Sequence, residues 1–195
     1  MKRTANDSDT SSQRKDPAAH DAAPFDFAAV VNRLESPLLR YVGQLLGADR
    51  EAAEEAVQEA FLRLHRQVEE HGMASIENVS SWLFRVAHNL AMNALRKREL
   101  ERRLHEHATQ EAEGVEGASR DALDVLVRKE MCERALAELQ MLPQKHKEVL
   151  LLKLIQGFSF REIGEITGLS VGHVAYRMNQ GLRELSRRMK DAGLA

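Results

Sequence analysis

The stretch that leaves this chain least freedom runs from Phe158 to Leu185, FSFREIGEITGLSVGHVAYRMNQGLREL. It predicts a helix, a short turn and a second helix. Ile163 and Ile166 give the first helix its apolar face, and Gly164 between them permits close approach of a neighbour. Gly168 stops that helix, because glycine takes the left-handed C′ conformation at no steric cost. Leu169 is expected to drop between the helices, and Ser170 is a favourable N-cap for the second. Val174, Met178, Leu182 and Leu185 then recur at helical spacing as a buried stripe. Ser170, His173, Tyr176, Arg177 and Gln180 lie on the opposite face. A capped helix entered through a glycine turn, with polar side chains near its N-terminal end, has the form of a helix-turn-helix facing a major groove. A plain antiparallel helix pair would share the stripe but has no use for the polar face.

Net charge says little about a nucleic-acid partner: the 195 residues carry a formal −2. The distribution says more. Residues 49–70 hold seven acids against three bases, whereas 91–104 hold five bases against two acids and 171–190 five against one. Residues 105–130 are again acidic, so two basic helices alternate with two acidic segments. A lone cysteine, Cys132, rules out an internal disulfide and reads as a buried structural thiol. No apolar run approaches the ~20 residues of a membrane span and no leader-like h-region opens the chain, so a cytoplasmic protein is expected. Few β-branched runs and long Ala/Leu/Glu/Arg-rich windows give an all-α class. The expected architecture is two small helical domains joined by a flexible acidic linker, the second containing the helix-turn-helix.

Taken in order, residues 1–24 read as a disordered tail. A first helix is expected from about Asp26 to Glu35. Ser36 then caps a second that opens with Pro37 and buries Leu38, Leu39, Val42, Leu45 and Leu46 before Gly47 ends it. Asp49 caps the next, over 50–68, with Ala53, Ala56, Val57, Ala60, Phe61 and Leu64 on one face. Its other face is an acidic stripe of Glu51, Glu54, Glu55, Gln58 and Glu59. Like charges four residues apart cost a few tenths of a kcal/mol each, and only Arg50 and Arg63 offer local relief. The stripe is either a solvated face or a docking surface for a basic partner.

A loop over 71–80 leads to a helix that starts at Ser80 or Ser81 and runs to about His105. Trp82, Leu83, Val86, Ala87, Leu90, Ala91 and Ala94 are its apolar side, with Trp82 expected in the core. Opposite lie Arg85, Asn89, Asn93 and Arg96, joined by Lys97, Arg98, Arg102 and Arg103. Arginine and lysine suit phosphate oxygens, and asparagine pairs with base edges. Asparagine is a poor helix former, so two in register mid-helix ask for a reason beyond solvation. Residues 106–121 form the linker. A helix from Ala122 through Leu139 follows, then one opened by Pro143 with Val149, Leu150, Leu152, Leu154 and Ile155 as core. The domains are therefore 25–105 and 122–192.

Catalytic motifs are missing: no glycine-rich phosphate loop, no nucleophile elbow, no CxxC or HExxH. His105 and His107, the closest histidine pair, point to different sides of a helix. No enzyme, metal site or cofactor is expected.

Two separated blocks carry a family resemblance. Residues 54–62, EEAVQEAFL, and 82–98, WLFRVAHNLAMNALRKR, resemble the second region of bacterial RNA polymerase sigma factors of the sigma-70 family, extracytoplasmic-function (ECF) group. Residues 141–188 resemble that family's fourth region. Together the likeness spans about Phe25–Leu104 and Ala122–Lys190. It implies a subunit that binds core RNA polymerase, recognises promoter DNA and directs transcription initiation. By that resemblance Glu54, Glu55, Gln58 and Glu59 dock on the β′ clamp, which would account for the self-repelling stripe. The fourth region would meet the β flap. The minus-ten element falls to the loop 71–80 and to Arg85, Asn89, Asn93, Arg96 and Lys97. The minus-thirty-five element falls to Ser170, His173, Tyr176, Arg177 and Gln180, with Arg161 on a phosphate. The family also leaves room for an anti-sigma factor as partner.

Departures from the family pattern are specific. Asn93 stands where Asp is usual, and Glu54-Glu55 replaces Glu-Asp. His173-Val174-Ala175-Tyr176-Arg177 replaces the usual Thr-Val-Lys-Ser-Arg, and Gln180 an expected Arg, which removes one or two phosphate or base contacts. Two other classes compete. A stand-alone helix-turn-helix regulator would bind duplex operator without polymerase and leaves the Arg85–Arg96 stripe unexplained. A non-catalytic adaptor or sigma antagonist leaves the capped recognition helix unexplained.

Overall fold

The structure, a computed structural model, describes residues 25–47, 49–105 and 133–193. The expected tail 1–24, the expected linker 106–121 with His107, and the stretch from Ala122 to Cys132, where a helix is expected to begin, lie outside the described residues. Among those described, every regular element is helical. We number them α1 (Phe27–Leu46), α2 (Arg50–His71), α3 (Val79–His105), α4 (residues 133–140), α5 (Gln144–Leu150), α6 (Phe160–Thr167) and α7 (Val171–Asp191). Helices α1, α2 and α3 pack against one another, as do α5, α6 and α7 in pairs through α7.

The two expected N-terminal helices are one. Asp26 caps α1 by accepting from the Ala29 N–H at 2.9 Å, and the helix runs through Pro37 to Leu46. An interior proline costs about 3 kcal/mol. Here the apolar stripe stays in register across it: Val30, Leu34, Leu38, Tyr41, Val42 and Leu45 are all buried. Breaking the helix at Pro37 would turn half of that stripe to solvent, so tertiary burial outweighs the local rule.

Helix α2 begins at its expected cap, with Asp49 Oδ1 accepting from the Ala52 N–H at 2.9 Å. Its alanines, Ala53, Ala56 and Ala60, are buried toward the bundle, where Ala87 and Ala91 of α3 are buried as well. A 3-10 turn at Met73–Ser75 and buried Ile76 then lead into α3. Asn78, not Ser80 or Ser81, caps α3, accepting from the Ser81 N–H at 3.0 Å. That frees Ser81 to be buried.

Helix α5 carries a second correction. It passes into a π-helical turn, Leu151–Ile155. The wider turn rotates the side chains that follow. Leu151 and Leu152 are buried whereas Leu154, expected in the core, is 54% exposed. In α7 the stripe is Val174, Met178, Gly181 and Leu185, and Leu182 is 39% exposed. A Cβ at Gly181 would lie 2.8 Å from Leu150 and 3.2 Å from His146, so the glycine lets α7 settle onto α5 where a larger residue would hold it off.

The N-terminal and C-terminal helices share one continuous core. Phe84 of α3 meets Phe158 edge-to-face, centroids 4.9 Å apart, and α6 packs against α3. Gln156 Nε2 donates to the Pro37 carbonyl at 3.4 Å, and Gln140 donates to Gln44.

Candidate functional site

Four faces carry the residues that the sequence singles out. On α2, Glu55 and Gln58 are exposed and Glu54 and Glu59 half-buried. Arg50 Nε bonds Glu54 at 2.7 Å and Arg63 Nε bonds Glu59 at 2.8 Å, the two pairings foreseen as local relief. The Arg63 bond holds the Glu59 carboxyl below its usual range. Such exposed pairs stabilise little, so the stripe keeps a net negative face.

On α3, Arg85, Asn89, Asn93, Arg96 and Lys97 are all exposed on one side of the helix. Arg96 Nη1 donates to Asn93 Oδ1 at 2.8 Å, a side-chain pair within the stripe. The other bases are engaged elsewhere. Arg98 reaches across to Asp49 and to the Leu46 carbonyl, tying α3 to the α1–α2 corner. Arg102 and Arg103 converge on Glu99 at 3.0 and 2.7 Å, and those hydrogen bonds pull its carboxyl down to about 2. Of the basic cluster, Arg85, Arg96 and Lys97 remain most available, with Lys97 only 3.9 Å from Glu101.

The helix-turn-helix forms as its residues require. Gly168 sits at φ 74°, ψ 17°, the left-handed conformation of a C-terminal cap. A Cβ at Gly164 would come within 2.7 Å of the Leu169 carbonyl oxygen, so only glycine admits the turn at this distance. Ser170 Oγ accepts from the His173 N–H at 3.3 Å. One signal was present in the sequence and not read: Ser159-x-x-Glu162 is a full capping box, with Glu162 Oε2 accepting from the Ser159 N–H at 2.8 Å. Both Ser159 bonds favour the ionised Glu162 and lower its pKa.

On α7, Ser170, His173 and Tyr176 are exposed, Tyr176 at 60%. Arg177 is different. Its Nη1 bonds Glu148 Oε1 of α5 at 2.5 Å, with side chains 27% and 8% exposed. Gln180 is half-buried. Arg161 at the start of α6 is exposed and bonds Glu165 at 3.1 Å.

Glu148 belongs to a chain of buried polar groups that sequence reasoning missed. Tyr41 and His88 share a hydrogen bond, Oη to Nδ1 at 2.9 Å, and His88 Nε2 lies 3.9 Å from Glu148 Oε2. Burial, then the positive field of Arg96, pushes the His88 pKa down to about 4, so the ring is neutral. Burial raises the Glu148 pKa and Arg177 pulls it back. A charge inside the apolar run KEVLLLKLI was the available signal.

Between the N- and C-terminal helices lies a cleft of about 550 Å³. Its walls are the 75–78 turn, Ser81, Trp82 and Arg85 on one side and Ser159, Arg161, Glu162 and Glu165 on the other. Trp82, expected in the core, is half-buried at this cleft. Arg85 and Arg161, expected at different promoter elements, thus line one cavity. Among the described residues no cluster of three potential metal ligands occurs, and no helix is long and apolar enough to cross a membrane.

Comparison with known proteins gives these faces a context. Residues 30–101 match the Sigma-70 region 2 family and residues 132–185 the Sigma-70, region 4 family. The ECF RNA polymerase sigma factor SigW of Bacillus subtilis is 29% identical over 174 residues, covering 85% of this chain and 89% of that protein. The RNA polymerase sigma factor CarQ of Myxococcus xanthus is 30% identical over 168 residues, 86% of this chain and 88% of that one. The sigma factor RpoE, solved in complex with the anti-sigma factor NepR from Bartonella quintana, shares the fold with a TM-score of 0.67 at 22% identity, covering 85% of this chain and 97% of that one. CnrH, solved with the cytosolic domain of CnrY, gives 0.57 at 21% identity over 85% and 88% of the two chains. The acidic α2, the polar α3 and the capped α7 therefore occur in the order and regions that this family uses, and the chain belongs to the ECF group of sigma-70 family RNA polymerase sigma factors, which direct promoter-specific initiation of transcription.

Proposed function

We propose a division of that activity among the chain's own residues. Glu54, Glu55, Gln58 and Glu59 dock on the β′ clamp of core polymerase. Arg85, Asn89, Asn93, Arg96 and Lys97 hold the minus-ten element as it opens. Arg161, Ser170, His173, Tyr176, Arg177 and Gln180 face the minus-thirty-five duplex. The working units are 25–105 and 122–192, and the protein acts in the cytoplasm as a non-catalytic subunit. Because RpoE is solved with an anti-sigma factor bound, an anti-sigma factor is the partner we propose for control of this chain.

The observation that carries this reading is the α3 stripe: five polar side chains, two of them asparagine, all exposed along one side of a helix whose other side is core. Promoter opening costs a few kcal/mol per flipped base. A row of donors along one strand, above a cleft with an aromatic wall, supplies contacts that duplex DNA does not make. A stand-alone regulator has no need of such a row, and the match to both sigma regions does not favour it.

Reconstitution tests the reading. Purified core polymerase with this chain and a genomic promoter pool is expected to yield discrete open complexes and transcripts that core alone does not. No specific transcript from any promoter would refute it.

A further inference from the structure

We infer that Asn93 acts on the minus-ten strand through Arg96: its amide holds the guanidinium in place on the stripe and, being uncharged, leaves it a full positive charge for a backbone phosphate. Asn93 is thus a positioning residue for that contact. This rests on the proposed assignment of the α3 stripe to the minus-ten element, and it divides the labour within the stripe. Arg96 Nη1 donates to Asn93 Oδ1 at 2.8 Å, on an exposed helix face. A guanidinium carries donors and no acceptor, so the amide can meet it only with its oxygen. The NH2 end of Asn93 is left for other partners, and so are the remaining N–H groups of Arg96. Donors directed outward suit the acceptor oxygens of a phosphate. Asn89, one turn earlier and also exposed, has its amide bonded by no described residue. It keeps a free oxygen and a free NH2, the combination that pairs with an adenine edge.

Charge explains what an amide at 93 does that a carboxylate would not. The other bases of this half of α3 face carboxylates: Lys97 lies 3.9 Å from Glu101, Arg98 is tied to Asp49, and Arg102 and Arg103 converge on Glu99. Arg96 is paired with no carboxylate among the described residues. Its charge reaches the core, where it adds to burial in lowering the His88 pKa. The family resemblance leads one to expect Asp at 93, three residues before the arginine, a spacing at which opposite charges attract on a helix. A phosphate would then compete with that carboxylate for the guanidinium. With Asn the hydrogen bond is kept and the competition is removed. A long side chain restrained before the strand arrives also has less freedom to lose on binding.

Promoter binding by polymerase reconstituted with the full-length chain tests the pair, read as affinity and as the slope of log K on log salt over a set of minus-ten sequences. Arg96→Ala should weaken binding several-fold and flatten the slope by about 0.7 to 0.9, the mark of one lost phosphate contact. Asn93→Asp should flatten it by a similar amount with Arg96 still present, because the new carboxylate occupies the guanidinium. Asn93→Ala should weaken binding about two- to threefold, an effect of restraint alone, while slope and order of preferred sequences stay as in the parent. In an Arg96→Ala background neither substitution at 93 should change the slope further, which separates pairing from general repulsion of DNA by an added acid. Both positions are exposed, and an unchanged thermal midpoint checks that each variant is folded. Asn93→Asp with the parent slope would overturn the inference. So would Asn93→Ala that reorders the preferred sequences, which would make Asn93 a reader of a base. Either result leaves the minus-ten assignment standing. Arg96→Ala without effect on affinity or slope would instead remove that assignment, and the inference with it.

Discussion

The N-terminal and C-terminal helices are built to similar rules and use their polar side chains differently. In α2 and α3 the faces proposed to function point outward: Glu55 and Gln58 are exposed, as are all five residues of the α3 stripe. In α5 to α7 part of the proposed reading surface is bound up internally. Arg177 is held by a buried Glu148, Gln180 is half-buried, and Arg161 is paired with Glu165. The difference teaches that the proposed first grip is exposed as folded, whereas the arginines of the proposed second, Arg161 and Arg177, are both paired. A weak second grip suits a protein whose promoter affinity should arise only when polymerase presents both parts together.

The largest effect should come from the outward acidic face. Glu55→Lys/Glu59→Lys replaces two carboxylates with ammonium groups on one side of α2 and leaves the buried alanines untouched. Co-purification with core polymerase should be abolished while the thermal midpoint stays within a few degrees of the parent. Surface charges contribute ~1 kcal/mol or less to folding, so the separation of the two readouts should be clean. Retained binding would mean that this face is merely solvated.

The next effect breaks the comparison from the other side. If Arg177 is first a partner of Glu148, Arg177→Ala should destabilise the C-terminal helices, because it strands a carboxylate that is 8% exposed. Removing one member of a fully buried pair costs about 3–5 kcal/mol. With Arg177 still partly exposed we expect about 2–3 kcal/mol by the same reasoning. In a Glu148→Gln background the same substitution should cost far less, and chemical denaturation of the four proteins measures the coupling. Additive costs would return Arg177 to the role of a free DNA contact.

What could be read from the residues, and what could not, follows the same division. The helix-turn-helix was legible because its determinants are local: Gly168 for the left-handed cap, Ser170 for the N-cap, Ile163 and Ile166 for the inner face. The acidic stripe and its two relieving arginines were legible for the same reason. Misreadings arose where packing overrode a local rule. Pro37 is a helix start by rule, yet a stripe in register carried α1 through it. Leu154 and Leu182 are core by periodicity, but a π-helical turn rotated one outward and buried Gly181 took the place of the other. The contact between the N- and C-terminal helices had no local signature. Phe84 and His88 fall between the apolar and polar sides of α3, and their burial is completed by Tyr41 of α1 on one side and by Phe158 and Glu148 from the other end of the chain.

A smaller effect separates the two sets of helices by pH. The His88 pKa is lowered to about 4 by burial, so protonation favours forms in which the ring is exposed. Its contribution to stability is complete above the ordinary value near 6.5 and is lost as pH falls toward 4. At ~1.4 kcal/mol per unit this is at most about 3 kcal/mol. Glu148, whose pKa is raised, titrates with the opposite sign and reduces the net. Urea midpoints between pH 7 and 4.5 should fall in the parent and fall less in His88→Gln. Parallel slopes would show that the ring is solvated in the free protein.

The smallest effect sharpens the comparison most directly. Gln180 stands where the family resemblance leads one to expect Arg, two turns beyond the His173 position on the same side of α7. If the second grip is weak for want of a cation there, Gln180→Arg should strengthen binding to upstream-element duplex several-fold at moderate salt. It should also steepen the dependence of log K on log salt by about 0.9, the mark of one added phosphate contact. Such a contact carries no sequence information, so affinity for unrelated duplex should rise in proportion and the preference set by His173, Ala175 and Tyr176 should stay as it was. If the added arginine instead alters which sequences are preferred, Gln180 faces a base edge. If salt slope and affinity are both unchanged, the weakness of the second grip resides in the Arg177–Glu148 pair rather than in the missing charge, because an arginine free to reach the backbone would have been counted.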